Sequence, residues 1–492
     1  MAVRLYRDIV VPVLKFVEFR ECPGVARVCR CFLEAARFGG FPQFKGMKIP
    51  GWHLVKFAES SLKFPNLVCL TVFDLHQGYL HSPIRHPVPD RLNHASVRML
   101  NLQGEGLDPD NLNRLLKMMV RIDALRICIT ESGRYPFYGS FQKGMLDVEA
   151  KAKIANLRTL AIGSVVMLST VAMEFLGSDA LEEVTLSCGK CSDELMDLLT
   201  SKPTLKRLGI VDEPRWESEL DRGKLAQCTH LACLSLDPLV TAAQLCSILR
   251  ANQNSLITLN LTHVSSDQIT EPVLEAIGQL RLLEALALPR MDIDPEKMRH
   301  LGGCPKLRTL MFYQGVYPGY GTFRHFVQAL PNLHALLIQQ SRMEGSFFTA
   351  LEALQSLREL YIEAHSPCTK AIATSIGKLS NLEKLNVEFS QETVHRTISH
   401  IEEAEVRIII TQCRKLVSLE VIGLRTFAIL AEIEHLISTG QSRLQFFNAG
   451  NHWKIANISP PPPTRSFQFK PPADGMHSKW TPPNLNAFLQ PS

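Results

Sequence analysis

The most regular feature of the chain is a six-residue alternation, apolar at its first, fourth and sixth positions, that returns along almost its whole length. It reads LVCLTV at Leu67, VRMLNL at Val97, IDALRI at Ile122, LRTLAI at Leu157, LEEVTL at Leu181, LKRLGI at Leu205, LACLSL at Leu231 and LITLNL at Leu256. It continues as LEALAL at Leu283, LRTLMF at Leu307, LHALLI at Leu333, LREL at Leu357, LEKLNV at Leu382, LVSLEV at Leu416 and a decayed LQFFNA at Leu444. These fifteen segments, most of them 24 to 27 residues apart, form a repeat. In an extended segment alternate side chains share a face. Leu259 and Leu261 therefore point to one interior, while Thr258, Asn260 and Thr262 point away.

Between the extended segments the period changes. TAAQLCSILRANQ (241–253), EPVLEAIGQL (271–280) and TKAIATSIGKL (369–379) place apolar residues at i, i+3, i+4 and i+7, the stripe of an amphipathic helix. A strand and a helix per unit, with an L-x-x-L-x-L core and a period in the twenties, is the leucine-rich-repeat signature. The predicted fold class is α/β, a leucine-rich-repeat solenoid over residues 67–457, a horseshoe with a parallel concave sheet and convex helices. Several units close on Cys-x-x-Leu, from Cys228, Cys304 and Cys413, or on Pro-Asn-Leu before Leu333. Two spacings are long, 35 residues before Leu157 and 34 before Leu416. The first holds ESGRYPFYGSFQKGM (131–145), which reads as a projecting loop. Residues 39–66 read as a linker with a cap helix at GWHLVKFAES (51–60), and the proline-dense residues 458–492 as an extended or disordered tail.

Ahead of the repeats, Leu5, Ile9, Val13, Phe16 and Val17 lie on one helical stripe. After a break at Pro23 and Gly24, Val25, Val28, Cys29 and Phe32 form a second, with Arg27 and Arg30 on the polar side. Two helices this short cannot bury their own apolar faces, so they must dock elsewhere. The segment resembles the F-box family. Leu5-Tyr6-Arg7-Asp8-Ile9 stands where that family has Leu-Pro-x-Glu-Ile, and Val28-Cys29-Arg30-Cys31-Phe32 matches its Val-Cys-Arg-x-Phe/Trp ending. Tyr6, Asp8 and Pro12 depart from the pattern.

The resemblance implies a small all-α F-box-like motif over residues 1–38. It further implies a substrate receptor of a Skp-cullin-F-box ubiquitin ligase, which performs no chemistry and needs no cofactor. Carried onto this chain, the surface for the Skp-type adaptor, and through it cullin, consists of Leu5, Ile9, Leu14, Val17, Val28, Cys29 and Phe32. The alternative is a non-enzymatic repeat scaffold whose N-terminal helices cap the first open edge of the array.

Composition narrows the remaining classes. With 46 % apolar and 21 % charged residues, and a net charge of +5 spread along 492 residues, the chain has no basic run. It also has no aromatic and arginine platform, so no nucleic-acid partner is expected. No stretch approaches the roughly 18 to 20 apolar residues of a membrane span, and no membrane partner is expected. The first twenty residues lack the pattern of a secretory signal. Thirteen scattered cysteines then point to reduced thiols in the cytoplasm or nucleus. Cys22, Cys29 and Cys31 lack the further ligands of a zinc site and read as packing residues, and the lone C-x-x-C of Cys188 and Cys191 lacks the thioredoxin-like surround of a redox motif and reads as structural. The 16 histidines are dispersed, and no H-E-x-x-H, phosphate-loop or G-x-S-x-G pattern occurs. Neither a catalytic nor a metal-binding residue is assigned, and the chain is not read as an enzyme.

What remains is binding. The outward positions between the leucines are small in the first half, as at Ala161, Gly163, Thr185, Ser187, Gly209 and Ser235. From residue 311 they become Met311, Tyr313, Gln339, Tyr361, Glu363, Asn386, Glu388 and Glu420. Large and hydrogen-bonding residues gathered on one wall predict a contact site for a protein substrate on the concave face, with glutamates favouring a basic ligand; a plain solvated face is the alternative. YQGVYPGYGTF (313–323) and RYPFYGSF (134–141) either extend that site or fold back on the scaffold. PPPPTR (460–465) reads first as a spacer, although it also fits the Pro-x-x-Pro-x-Arg ligand of a Src-homology-3 partner.

Overall fold

The computed structural model describes residues 46–50, 68–73, 97–104, 109–129, 146–190, 192–210, 222–236, 238–289, 295–312, 327–341, 345–364, 367–393, 396–399, 401–422, 424, 429–440, 442–448 and 454–455. Each of the fifteen leucine-motif segments forms a strand. The chain divides into two units, Met1–Leu231 and Ala232–Ser492.

In the first unit, strands β1 (Gly46–Pro50), β2 (Cys69–Phe73), β3 (Met99–Gly104), β4 (Ala124–Ile129), β5 (Thr159–Leu168), β6 (Glu183–Lys190) and β7 (Arg207–Ile210) pair in sequence order, all parallel. Helices α1 (Pro109–Met118), α2 (Val148–Ile154), α3 (Ser169–Phe175) and α4 (Asp193–Thr200) connect them. Parallel neighbours need crossovers, and crossovers of one hand put every helix on the same face of the sheet. That face receives Leu100, Leu125, Leu160, Val184 and Leu208, each at most 2 % exposed. The sheet begins one strand earlier than the leucine motif, since β1, in the span read as linker, pairs with β2 from Gly46↔Cys69 to Pro50↔Phe73.

The second unit repeats the plan. Strands β8 (Cys233–Ser235), β9 (Thr258–Asn260), β10 (Ala285–Leu288), β11 (Thr309–Phe312), β12 (Ala335–Ser341), β13 (Glu359–Ala364), β14 (Lys384–Thr393), β16 (Ser418–Ile422) and β17 (Phe446–Asn448) run parallel in that order. The connecting α-helices are α5 (Ala242–Ala251), α6 (Glu271–Gly278), α7 (Pro295–Met298), α8 (Gly345–Leu351), α9 (Lys370–Gly377), α10 (Glu403–Gln412) and α11 (Ile429–Ser438). A register row of Leu259, Leu286, Leu310, Leu336, Leu360, Leu385 and Leu419 forms the helix-side core, each residue 0 to 2 % exposed. Burying each such side chain contributes about 1.5–3 kcal/mol.

Local chemistry fixes the helix starts. Thr241 and Gln244 form a reciprocal capping box on α5, and the hydroxyls of Ser192 and Thr369 accept from Leu195 N–H and Ile372 N–H. Two cysteines of the Cys-x-x-Leu endings tie their repeat to the helix of the preceding repeat. Cys304 Sγ donates to the carbonyl of Ile277 in α6 at 3.1 Å, and Cys413 Sγ to that of Ile376 in α9 at 3.5 Å. Burial pushes both thiols up to about 12, and Cys228 to about 11, which makes them packing groups rather than nucleophiles.

The long spacing before Leu416 contains an added hairpin. β14 extends past its neighbours, and its residues Ser390 to Thr393 pair antiparallel with β15 (Arg396–Ser399). A second antiparallel pair, β17 with β18 (Lys454–Ile455), follows the last repeat. The other long spacing, with residues 131–145, and the cap helix at 51–60 lie outside the described residues, as do the tail 458–492 and its PPPPTR.

Candidate functional site

The register places the outward side chains of the second unit in one continuous line. Ser235 pairs with Asn260, Asn260 with Ala287, Ala287 with Met311 and Met311 with Leu337. Leu337 pairs with Tyr361, Tyr361 with Asn386, and Asn386 with Glu420. At the usual parallel spacing of about 4.8 Å such neighbours touch. The line is thus small and polar at one end, apolar in the middle and acidic at the other. One step further along the strands, Glu363 sits in register with Glu388.

The middle of the line is not an open wall. Ala285, Ala287, Met311, Leu337 and Tyr361 form one buried cluster, with Met311 1 %, Leu337 2 % and Tyr361 4 % exposed. They lie opposite the leucine row, on the face that crossovers of one hand leave free of helices. Both faces of β10 are therefore buried, as is common for parallel sheets, and on β13 Tyr361 is buried on the outward face between half-buried Glu359 and Glu363. At the acidic end, Glu363, Asn386, Glu388 and Glu420 are half-buried.

The electrostatics follow from that burial. Glu388 has its carboxyl raised above the ordinary range, by desolvation first and by the charge of Glu420 second. The Tyr361 hydroxyl is pushed up as well, by burial first and then by the charges of Glu363, Glu388 and Glu420. Asn386 relieves part of this field, because its Nδ2 donates to Glu420 Oε2 at 2.7 Å. At the other end of the same strands the carboxylates are neutralised locally. Lys384 Nζ lies 2.5 Å from Glu359 Oε1, and Arg358 Nη1 lies 3.7 Å from Glu383 Oε1.

Of the residues singled out from sequence, the structure brings Met311, Tyr361, Glu363, Asn386, Glu388 and Glu420 onto one face. Met311 and Tyr361 form its buried floor rather than exposed contacts. Gln339 lies on β12, its side chain outside the described part, and Tyr313 lies outside the described residues. The adaptor-facing set Leu5, Ile9, Leu14, Val17, Val28, Cys29 and Phe32 lies outside them too. Sequence reading missed Leu337 and Ala287, which complete the strip between Asn260 and Tyr361. Their signal was an apolar residue in the outward slot of LHALLI and LEALAL.

In the first unit the corresponding line runs Thr71, Asn101, Arg126, Ala161, Thr185 and Gly209. Asn101 Nδ2 donates to Thr71 Oγ1 at 3.2 Å, and a Cβ at Gly209 would lie 3.3 Å from Thr185 Cγ2. Apart from Asn101 and Arg126 this line is made of small residues, and the acidic residue beside it, Glu183, is 3.8 Å from Arg207.

Among the described residues no group of three or more histidine, cysteine or acidic side chains could hold a metal ion, and no helix is long and apolar enough to cross a membrane. The second-unit face carries half-buried carboxylates beside a buried apolar floor.

No protein-family model matches the chain, and no curated protein matches it. Among solved structures it is similar to an internalin (inlF) of Listeria monocytogenes, at 16 % identity and a TM-score of 0.37, over 64 % of this chain and 79 % of that one. It is also similar to a chain of the Toll–Spatzle complex of Drosophila, at 11 % identity and a TM-score of 0.38, over 78 % of this chain. That match spans about half of the Toll–Spatzle chain, 51 % of its length.

Proposed function

We propose that the chain is a non-catalytic protein-interaction scaffold that holds a protein target on the outward face of β11 to β16. The observation that carries this reading is the line Met311, Leu337, Tyr361, Asn386 and Glu420. It sets an apolar strip beside a partly desolvated carboxylate cluster, on the sheet face opposite the helices. The half-buried carboxylates of Glu363, Glu388 and Glu420 select for a cationic partner surface, and the packed floor of Met311, Leu337 and Tyr361 fixes the strands that carry them.

The finer reading joins this face to the N-terminal segment. Its resemblance to the F-box, and its position directly before leucine-rich repeats, support a substrate receptor of a Skp-cullin-F-box ubiquitin ligase working in the cytoplasm or nucleus. The adaptor docks on Leu5, Ile9, Leu14, Val17, Val28, Cys29 and Phe32, and the repeats present the target to a separate enzyme. Affinity purification of the full chain, with and without Leu14→Ala plus Phe32→Ala, tests it. Recovery of a Skp-type adaptor by the unmodified chain and its loss in the double variant are expected. No adaptor in either sample would leave the scaffold reading alone standing.

A further inference from the structure

The residue just before each strand forms a charged row along the edge of the sheet, and its pattern differs between the units. From β3 to β7 the row runs Arg98, Asp123, Arg158, Glu182 and Lys206, each joined to the last by a backbone hydrogen bond of 2.8 or 2.9 Å. Its charges alternate, and they pair: Arg98 with Asp123 at 3.4 Å, Arg158 with Glu182 at 3.6 Å and Lys206 with Glu182 at 3.7 Å. From β10 to β14 the same row runs Glu284, Arg308, His334, Arg358 and Glu383. Here a histidine stands between two arginines, where alternation would place a carboxylate.

The row is therefore not neutralised at that point. His334 N–H donates to the Arg308 carbonyl at 2.7 Å and Arg358 N–H to the His334 carbonyl at 2.8 Å, so the three residues occupy consecutive rungs. Arg308 and Arg358 are exposed, as is Lys306 two residues before Arg308, and His334 is half-buried. Among the described residues Arg308 makes no ion pair and the His334 imidazole no hydrogen bond, while Arg358 reaches Glu383 at 3.7 Å. The other nearby carboxylates do not fill the gap. Glu359 is held by Lys384 at 2.5 Å, and Glu284 lies one rung beyond Arg308, on the side away from His334. The His334 ring is held below its ordinary range by burial first, then by the charges of Arg358 and Arg308, so both guanidinium groups act on it. It is neutral at pH 7.

We propose that Arg308, His334 and Arg358 bind an oxyanion of the phosphate class, with a guanidinium on each side of it and the imidazole between them. The two arginine Cα atoms are two strand steps apart, roughly 9.6 Å, a span that two guanidinium forks close from opposite sides. A phosphate dianion matches two guanidinium charges and has oxygens for both forks and for an imidazole N–H. A carboxylate brings one charge and two oxygens. The group is either free phosphate or a phosphate ester on a protein side chain. Met311, Leu337 and Tyr361 come three residues further along the same strands, so the site adjoins the face assigned to the target. It requires neither that assignment nor the F-box reading.

The imidazole reports on its own site. Bound phosphate favours the imidazolium form, so by linkage it raises the pH at which His334 titrates. In the full chain carrying isotope-labelled histidine, the NMR signal that is lost in His334→Gln is followed against pH, in sodium phosphate and in sodium chloride of equal ionic strength. The midpoint is expected to lie about one pH unit higher in saturating phosphate, which corresponds to phosphate binding the imidazolium form about tenfold tighter. The peptide Gly-phosphoserine-Gly, titrated in the same way, separates the two sources: saturation below the phosphate concentration assigns an ester on a protein, and the reverse assigns free phosphate. Arg308→Gln with Arg358→Gln should abolish the difference. Arg308→Gln alone, at an exposed position without an ion pair among the described residues, should at least halve it with the fold intact, which keeps the test decisive if the double variant unfolds. Equal midpoints in phosphate and chloride, or a difference undiminished in Arg308→Gln, would overturn the assignment.

Discussion

Asn386 and Glu420 face each other in register across β14 and β16, and the Asn386 amide donates to the Glu420 carboxylate at 2.7 Å. That bond sits beside Glu388, whose raised carboxyl reports desolvation and the charge of Glu420. The face therefore holds charge at a cost to folding, as binding surfaces often do.

The sign of that cost is measurable. A carboxyl whose folded value is raised binds protons more tightly folded than unfolded, so it lowers stability as pH rises from its ordinary value, 4.5, through its raised one. Glu388→Gln should unfold at a higher temperature than the natural chain at neutral pH. The difference should shrink as pH falls and vanish below 4.5, where the carboxyl is protonated in both the folded and the unfolded chain. A variant equal in stability at neutral pH would show that Glu388 is not strained.

Met311 and Leu310 point to opposite faces of β11, yet both are at most 1 % exposed. Leu310→Ala and Met311→Ala are each expected to cost about 2–5 kcal/mol in denaturant unfolding. If the outward face were simply solvated, Met311→Ala would cost less than about 0.5 kcal/mol, as surface substitutions do.

Cys304 and Cys413 are buried and donate to helix carbonyls, whereas Cys69, Cys128 and Cys233 are only half-buried. Alkylation of the native chain at mildly alkaline pH, read residue by residue by mass spectrometry, should label the second group well before the first. Early labelling of Cys304 would contradict the packing of the Cys-x-x-Leu endings.

The repeat was legible because its signal is strong and redundant. A leucine at the first, fourth and sixth positions states both the strand and its buried face, and every such segment is a strand. The helices read from 241–253, 271–280 and 369–379 are α5, α6 and α9. What escaped lacks that pattern. GMKIP, the β1 segment, carries only Met47 and Ile49 in alternation, and its strand is defined by pairing to β2. The hairpin of Ser390 to Thr393 with Arg396–Ser399 is polar, so backbone bonds rather than apolar alternation decide it. The burial of Met311 and Tyr361 was equally hidden, because an outward apolar residue reads the same whether solvent or chain lies over it. Register, not composition, joined Leu337 and Ala287 to them.

The most direct measurement is chemical crosslinking with mass spectrometry on complexes captured by the full chain, comparing the natural sequence with Glu388→Ala plus Glu420→Ala. Bound proteins should crosslink to the β13, β14 and β16 segments, residues 359–364, 384–389 and 418–422. Their recovery should fall about tenfold in the variant, while thermal unfolding shows it folded. Recovery that is unchanged, or crosslinks confined to the Thr71 to Gly209 line of the first unit, would contradict the placement of the binding face.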